Sequence, residues 1–200
     1  MPLSTLDSVA ALVVIDMQKG ILALPTAHPA AEITERVAAL ARAFREQDLP
    51  VVLVNVAGAA PGRTDASPHG FDPPADWAEL VPELDQQPQD HLVTKMRWGA
   101  FHGTSLDDHL HKKGVTQVIL AGIATSIGVE STARNAHDNG YHVALVVDAM
   151  TDLDADAHTY SVTKIFPRLG ETATTEEVLA RLKTRKVAGP LVDQRDLGAA

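Results

Sequence analysis

Thr116-Gln-Val-Ile-Leu-Ala-Gly-Ile-Ala-Thr-Ser-Ile-Gly128-Val-Glu-Ser-Thr-Ala-Arg134 decides the fold. An apolar run, Val118 to Ala121, ends at Gly122 and passes through a short turn into an alanine-rich segment with helical spacing. That pattern is a buried strand feeding a tight loop and then a helix. A helix start presents unpaired N–H groups and the positive end of a dipole, which suits a nucleophile or an anion. The stretch therefore reads as the floor of an active site.

The same alternation extends in both directions. Val9 to Ile15 is a continuous apolar run of strand length, buried on both faces, and it stops at Asp16-Met17-Gln18. Ala30 to Gln47 places Ile33, Val37, Leu40, Ala41 and Phe44 on one helical face. Val51 to Asn55 is a second strand and His91 to Lys95 a third. Leu106 to Lys113 is a helix opened by Thr104 or Ser105 and closed by Gly114. After the opening stretch, Tyr141 to Val147 is a strand ending at Asp148-Ala149. Asp154 to Phe166 has a helical pattern, and Gly170 to Thr174 is a short last strand. Thr174-Thr-Glu-Glu177 has capping-box spacing for a final helix to Leu182. Ala57 to Asp90, with six prolines, reads as an excursion over the surface. The tail, 186–200, lacks a period and reads as disordered or lying at an oligomer interface. Strands alternating with helices predict one α/β domain over 1–200, with a mostly parallel sheet covered on both faces.

Composition removes several function classes. Lys+Arg 17 against Asp+Glu 26 gives a net charge of −9, which argues against nucleic-acid binding. With Cys 0 there is no disulfide, zinc-thiolate site or thiol nucleophile. No apolar run approaches the roughly 20 residues that span a bilayer, and the N-terminus has no signal-peptide pattern; the expectation is a cytoplasmic protein. His109 and His111 stand two apart on a helix and point to different faces, so no metal site is expected.

In a parallel sheet, ligands bind outside the carboxyl ends of the strands. The polar residues there are Asp16, Asn55, Lys95 and the Gly122 to Gly128 turn. Asp16 fits either a turn former or a partly desolvated carboxylate usable as general acid or base. Lys95 fits either a surface lysine or a charge that stabilises developing negative charge. Ser126 has no evident base and fits a helix cap better than a nucleophile.

Four pieces in order resemble the isochorismatase-like, or cysteine hydrolase, family. They are Ile15-Asp16-Met17-Gln18; Lys95-Met-Arg-Trp-Gly-Ala-Phe101-His-Gly-Thr104-Ser-Leu-Asp107; Leu120 through Arg134-Asn-Ala; and Gly140-Tyr141 with Val147-Asp148-Ala149. The resemblance spans about Val9 to Leu182. It implies a Rossmann-like three-layer α/β/α sandwich with a six-stranded sheet. It also implies an Asp-Lys-Cys triad, of which Asp16 and Lys95 match two members while Gly128 stands at the cysteine position. A cis peptide at Ile123–Ala124 and an oxyanion hole from the Ala124 and Gly128 amides are implied as well. Nicotinamidases in the family carry an Asp-x-His metal site where this chain reads Asn55-Val56-Ala57. Isochorismatases resembling this chain have glycine at the cysteine position, but an aromatic at the place of Ala124 and a glutamine near Ala57. The expectation is a hydrolase of a small molecule without covalent catalysis or cofactor, cleaving a vinyl-ether or C–N bond. Arg63, Trp98, Phe101 and Asn55 are the candidates for substrate contact. A binding or regulatory homologue that keeps the pocket is the other class compatible with these residues. The family also implies a homo-oligomer, a dimer or tetramer.

Overall fold

The computed structural model describes residues 3–65 and 73–185. Six strands, β1 (Ala10–Ile15), β2 (Val51–Val56), β3 (His91–Lys95), β4 (Gln117–Ile123), β5 (His142–Thr151) and β6 (Glu171–Ala173), form one sheet. Every pairing is parallel, in the order β3-β2-β1-β4-β5-β6. The order reverses at β1, so a crevice opens at the carboxyl ends of β1 and β4, where Asp16 and the opening stretch of sequence lie.

The central strands β1 and β4 are buried at every residue because both faces of the sheet are covered there, and a short helix, α1 (Lys19–Leu22), follows β1. On β1, Ala10, Leu12 and Val14 pack into one core cluster, with α2 (Ala30–Glu46) and α7 (Thr175–Thr184). Ala11, Val13 and Ile15 pack into the other, with α3 (Leu106–Lys112), α4 (Glu130–Asp138) and Phe166 of the short α6 (Phe166–Leu169). Each fully buried Val, Leu, Ile or Phe side chain among these contributes about 1.5–3 kcal/mol. The amphipathic face read for α2 supplies Ile33, Val37, Leu40, Ala41 and Phe44, all buried.

Three element boundaries depart from the sequence expectation. First, β5 runs four residues past Val147, to Thr151. Asp148 does not end it, because its Oδ1 accepts from the Thr175 N–H at 2.7 Å and the Thr175 hydroxyl at 3.0 Å. Second, the opening stretch does not enter an α-helix directly: a π turn, Thr125–Val129, precedes α4. Ser126 is no side-chain cap there; its N–H donates to the Asp152 carboxylate at 2.6 Å. Third, the segment from Asp154 to Phe166 is α5 (Ala155–Tyr160) followed by a π turn, Ser161–Ile165. The capping box on α7 forms as its spacing predicts.

The excursion after β2 is pinned at its described ends. Gln18 bridges Leu80, and Arg45 binds both Asp90, at 2.7 Å in a nearly buried ion pair, and the Leu84 carbonyl. Its central residues, 66–72, and the 186–200 tail lie outside the described residues. Among the described residues no helix is long and apolar enough to cross a membrane.

Gly122 fixes the junction of β1 and β4. It pairs with Ile15 at φ +116, and a Cβ there would stand 2.0 Å from the Ile15 carbonyl oxygen. Gly122→Ala combines a strained φ with a backbone clash in the sheet centre. We expect a loss of about 3 kcal/mol in urea unfolding. A loss below about 1 kcal/mol would show that the sheet yields at this point.

Candidate active site

Asp16 follows the last residue of β1 and adopts φ +49, a left-handed conformation that costs of order 1–3 kcal/mol for a residue with a side chain. Its N–H donates to the Val54 carbonyl at 2.9 Å, and its carbonyl accepts from the Gln18 N–H at 2.9 Å. Gln18 is fully buried. Its amide donates to the Val56 and Trp77 carbonyls and accepts from the Val56 N–H. The turn is thereby tied to the end of β2 and to the excursion, and Asp16 is aimed over the sheet edge.

Lys95, the last residue of β3, reaches across to meet it. Its ammonium donates to Asp16 Oδ2 at 2.7 Å and to the Arg97 carbonyl at 3.1 Å, and both side chains are almost wholly out of solvent. The other carboxylate oxygen, Asp16 Oδ1, is buried and has no hydrogen-bond partner. Burial raises the Asp16 pKa to about 6, against the opposing pull of the Lys95 charge and hydrogen bond. A carboxyl so placed exchanges a proton near neutral pH, as a general acid or base must.

The π turn closes the third side. The Ile123–Ala124 peptide is cis, as the family resemblance implies. The Ala124 carbonyl accepts from both the Ile127 and Val129 N–H groups at 3.1 Å, which wraps the chain tightly around this point. Gly128 faces the carboxylate. A Cβ on it would lie 3.2 Å from Asp16 Oδ2 and 2.9 Å from Ile15 Cγ2. A side chain at 128 would press on Ile15 and on the carboxyl group, so glycine lets this turn close against the end of β1.

Together these groups line a cavity of about 190 Å³, with Asp16, Lys95, Ala124, Gly128 and Trp98 in its wall. Larger hollows, of about 630 and 310 Å³, lie at the amino ends of the strands, beside Gln117 and His142 or beside Val51, away from this chemistry.

Three of the residues expected to touch substrate are placed elsewhere. The Asn55 side-chain amide donates to the Ala78 carbonyl at 2.7 Å, so it holds the excursion instead of facing the cavity. Phe101 packs against the core cluster that holds Ala11, Val13 and Ile15, near Tyr141, with ring centroids 5.9 Å apart. Arg63 is exposed and off the cavity wall.

Other residues here were not singled out in the sequence. Ile21, Leu24, Trp77, Ile127 and Leu153 supply most of the apolar wall. Asp152, nearly buried, anchors the π turn through Ser126 and accepts from the Leu153 N–H at 2.8 Å. The Thr125 hydroxyl pairs with His158 Nδ1 at 2.8 Å, and His158 stands edge-on to His28. Burial, then the neighbouring His28, lowers the His158 pKa. The sequence signal for Asp152 is an acidic residue just beyond an apolar strand, masked by Asp148, which stands earlier in the same strand. Among the described residues no group of three or more His, Cys, Asp or Glu could hold a metal ion.

The family model described as the isochorismatase domain matches residues 10–177. The chain is 42% identical over 180 residues to the uncharacterized isochorismatase family protein YwoC of Bacillus subtilis, covering 86% of this chain and 94% of that one. An isochorismatase family protein from Burkholderia thailandensis has a TM-score of 0.86 at 44% identity, over 90% of this chain and 98% of its own. The N-carbamoylsarcosine amidase from Thermoplasma acidophilum has a TM-score of 0.68 at 27% identity, over 84% and 97%.

Proposed function

Because the chain belongs to the isochorismatase family, a family of hydrolases, we propose that it hydrolyses a small molecule with water as the direct nucleophile. The supporting observation is the buried Asp16 carboxyl, with Oδ1 unpaired and the side-chain-free Gly128 beside it. On the family resemblance Gly128 takes the position of the family's cysteine, and Cys 0 in the chain excludes a thiol from any other position.

The chemistry follows from what each group can do. On a vinyl ether, protonated Asp16 gives its proton to the alkene carbon. Water adds to the resulting oxocarbenium ion, and the hemiacetal collapses to an alcohol and a carbonyl compound. On a C–N bond, ionised Asp16 takes a proton from water as the oxygen attacks the carbonyl. The tetrahedral oxyanion faces the Ala124 and Gly128 amides, and the proton passes to the leaving nitrogen. In both cases Lys95 steadies the charge of Asp16. The amidase relative in this family makes the C–N reaction a reasonable member of the test panel.

The test is a panel of vinyl ethers, amides and imides, assayed with intact-mass spectrometry during turnover. We expect hydrolysis with no covalent adduct on the chain, and an unchanged rate for Ser126→Ala, since Ser126 lies off the cavity wall. A persistent adduct, or loss of activity in Ser126→Ala, would put a side-chain nucleophile in place of water. No Asp16-dependent hydrolysis across the panel would leave the pocket as a binding site only.

A further inference from the structure

We infer that the cavity beside Asp16 accepts an uncharged molecule of about one ring, carrying an N–H or O–H donor, and turns away carboxylates. This rests on reading that cavity as the substrate site. Its volume, about 190 Å³, compares with the engineered apolar cavity of ~150 Å³ that holds benzene. Its wall is built from Ile21, Leu24, Trp77, Trp98, Ile127 and Leu153. Such a surface favours a flat apolar body.

The charges define the polar end. Asp16 and Lys95 are the only acidic or basic groups in the wall among the described residues, and they are bound to each other. Lys95 commits one donor to Asp16 and another to the Arg97 carbonyl. Among the described residues a ligand carboxylate would thus be taken out of water with no cation of its own, next to the Asp16 carboxylate. Arg63, the cation nearest in sequence to this end of β2, is exposed and off the wall. Asp16 Oδ1 has the opposite preference: it is a buried acceptor without a partner on a residue of this wall, and a donor on the ligand would satisfy it.

The chain contains Trp 2, and both tryptophans, Trp77 and Trp98, line the cavity. Intrinsic fluorescence of the unmodified protein therefore reports on occupancy without any need for turnover. The probes are benzamide, its isostere benzoate, and the two-ring naphthamide, titrated at pH 8. We expect a saturable change with benzamide at a Kd about 10-fold or more below those of benzoate and naphthamide. Benzoate binding as tightly as benzamide overturns the charge selection. Naphthamide binding as tightly overturns the size. No saturable change with benzamide overturns the inference as a whole. A panel without hydrolysis but with benzamide preferred defeats the hydrolase proposal alone; hydrolysis with carboxylates preferred defeats the substrate class alone.

Discussion

Asp16→Asn is expected to lower hydrolysis by about 10²–10⁴-fold, the usual contribution of a positioned general acid or base. The substitution is nearly isosteric and keeps an acceptor for the Lys95 ammonium, which now sits 2.7 Å from Oδ2. What it removes is the proton. The pH profile of the unmodified protein then separates the two chemistries, because burial holds the Asp16 pKa at about 6. Vinyl-ether cleavage needs the protonated carboxyl, so its rate should fall as pH rises through about 6. C–N hydrolysis needs the carboxylate, so its rate should rise over the same interval. Asp16→Asn should flatten either limb. A variant that keeps more than about a tenth of the rate would be incompatible with proton transfer by Asp16, as would a limb that survives the substitution.

Much of this arrangement was legible in the sequence because it rests on strand ends. A run such as Val9 to Ile15 must be buried on both faces, and a polar residue that terminates it must emerge at the sheet edge. Asp16, Lys95 and the Gly122 to Gly128 turn come together for that reason. What strand-end reasoning leaves undetermined is where a side chain points. Asn55 ends in the right region, yet its amide is claimed by the Ala78 carbonyl of a segment whose path the sequence did not reveal. Trp77 reaches the cavity from the same irregular excursion, drawn in because Gln18 binds its carbonyl. Phe101 follows the glycine-containing turn after β3, but apolar packing sets it against the core cluster under α3 and α4. Asp152 is obscured for a different reason: Thr175 donates to the Asp148 carboxylate, which lets β5 continue past its first acidic residue. In each case a long-range hydrogen bond or core contact overrode the local pattern.

Lys95→Met carries the largest expected effect on stability, and the effect should depend on pH. Methionine preserves most of the buried stem while removing the cation paired with Asp16. Breaking a buried ion pair from one side costs about 3–5 kcal/mol while the other charge remains. Asp16 can escape that cost by taking up a proton. Its folded pKa, already raised from 3.8 to about 6 with Lys95 opposing the rise, must climb further when that opposition is gone. The folded state then binds the Asp16 proton more tightly than the unfolded chain. Stability from this group is fully present below the unfolded pKa and is lost as pH rises through the folded one. In the unmodified protein that loss is complete soon above pH 6; in Lys95→Met it continues upward. At pH 8 we expect Tm to fall by roughly 6–20 °C, taking about 2–4 °C per kcal/mol for a chain of this size. At pH 5, where the carboxyl is neutral in both proteins, the difference should shrink to a few degrees. An equal drop at both pH values would mean that Lys95 contributes packing and not charge. The same variant bears on catalysis, since a further rise in the Asp16 pKa would carry an acid-catalysed limb to higher pH and suppress a base-catalysed one at neutrality. The direction of that displacement should therefore agree with the limb seen in the unmodified protein, and disagreement would separate the titrating group from Asp16.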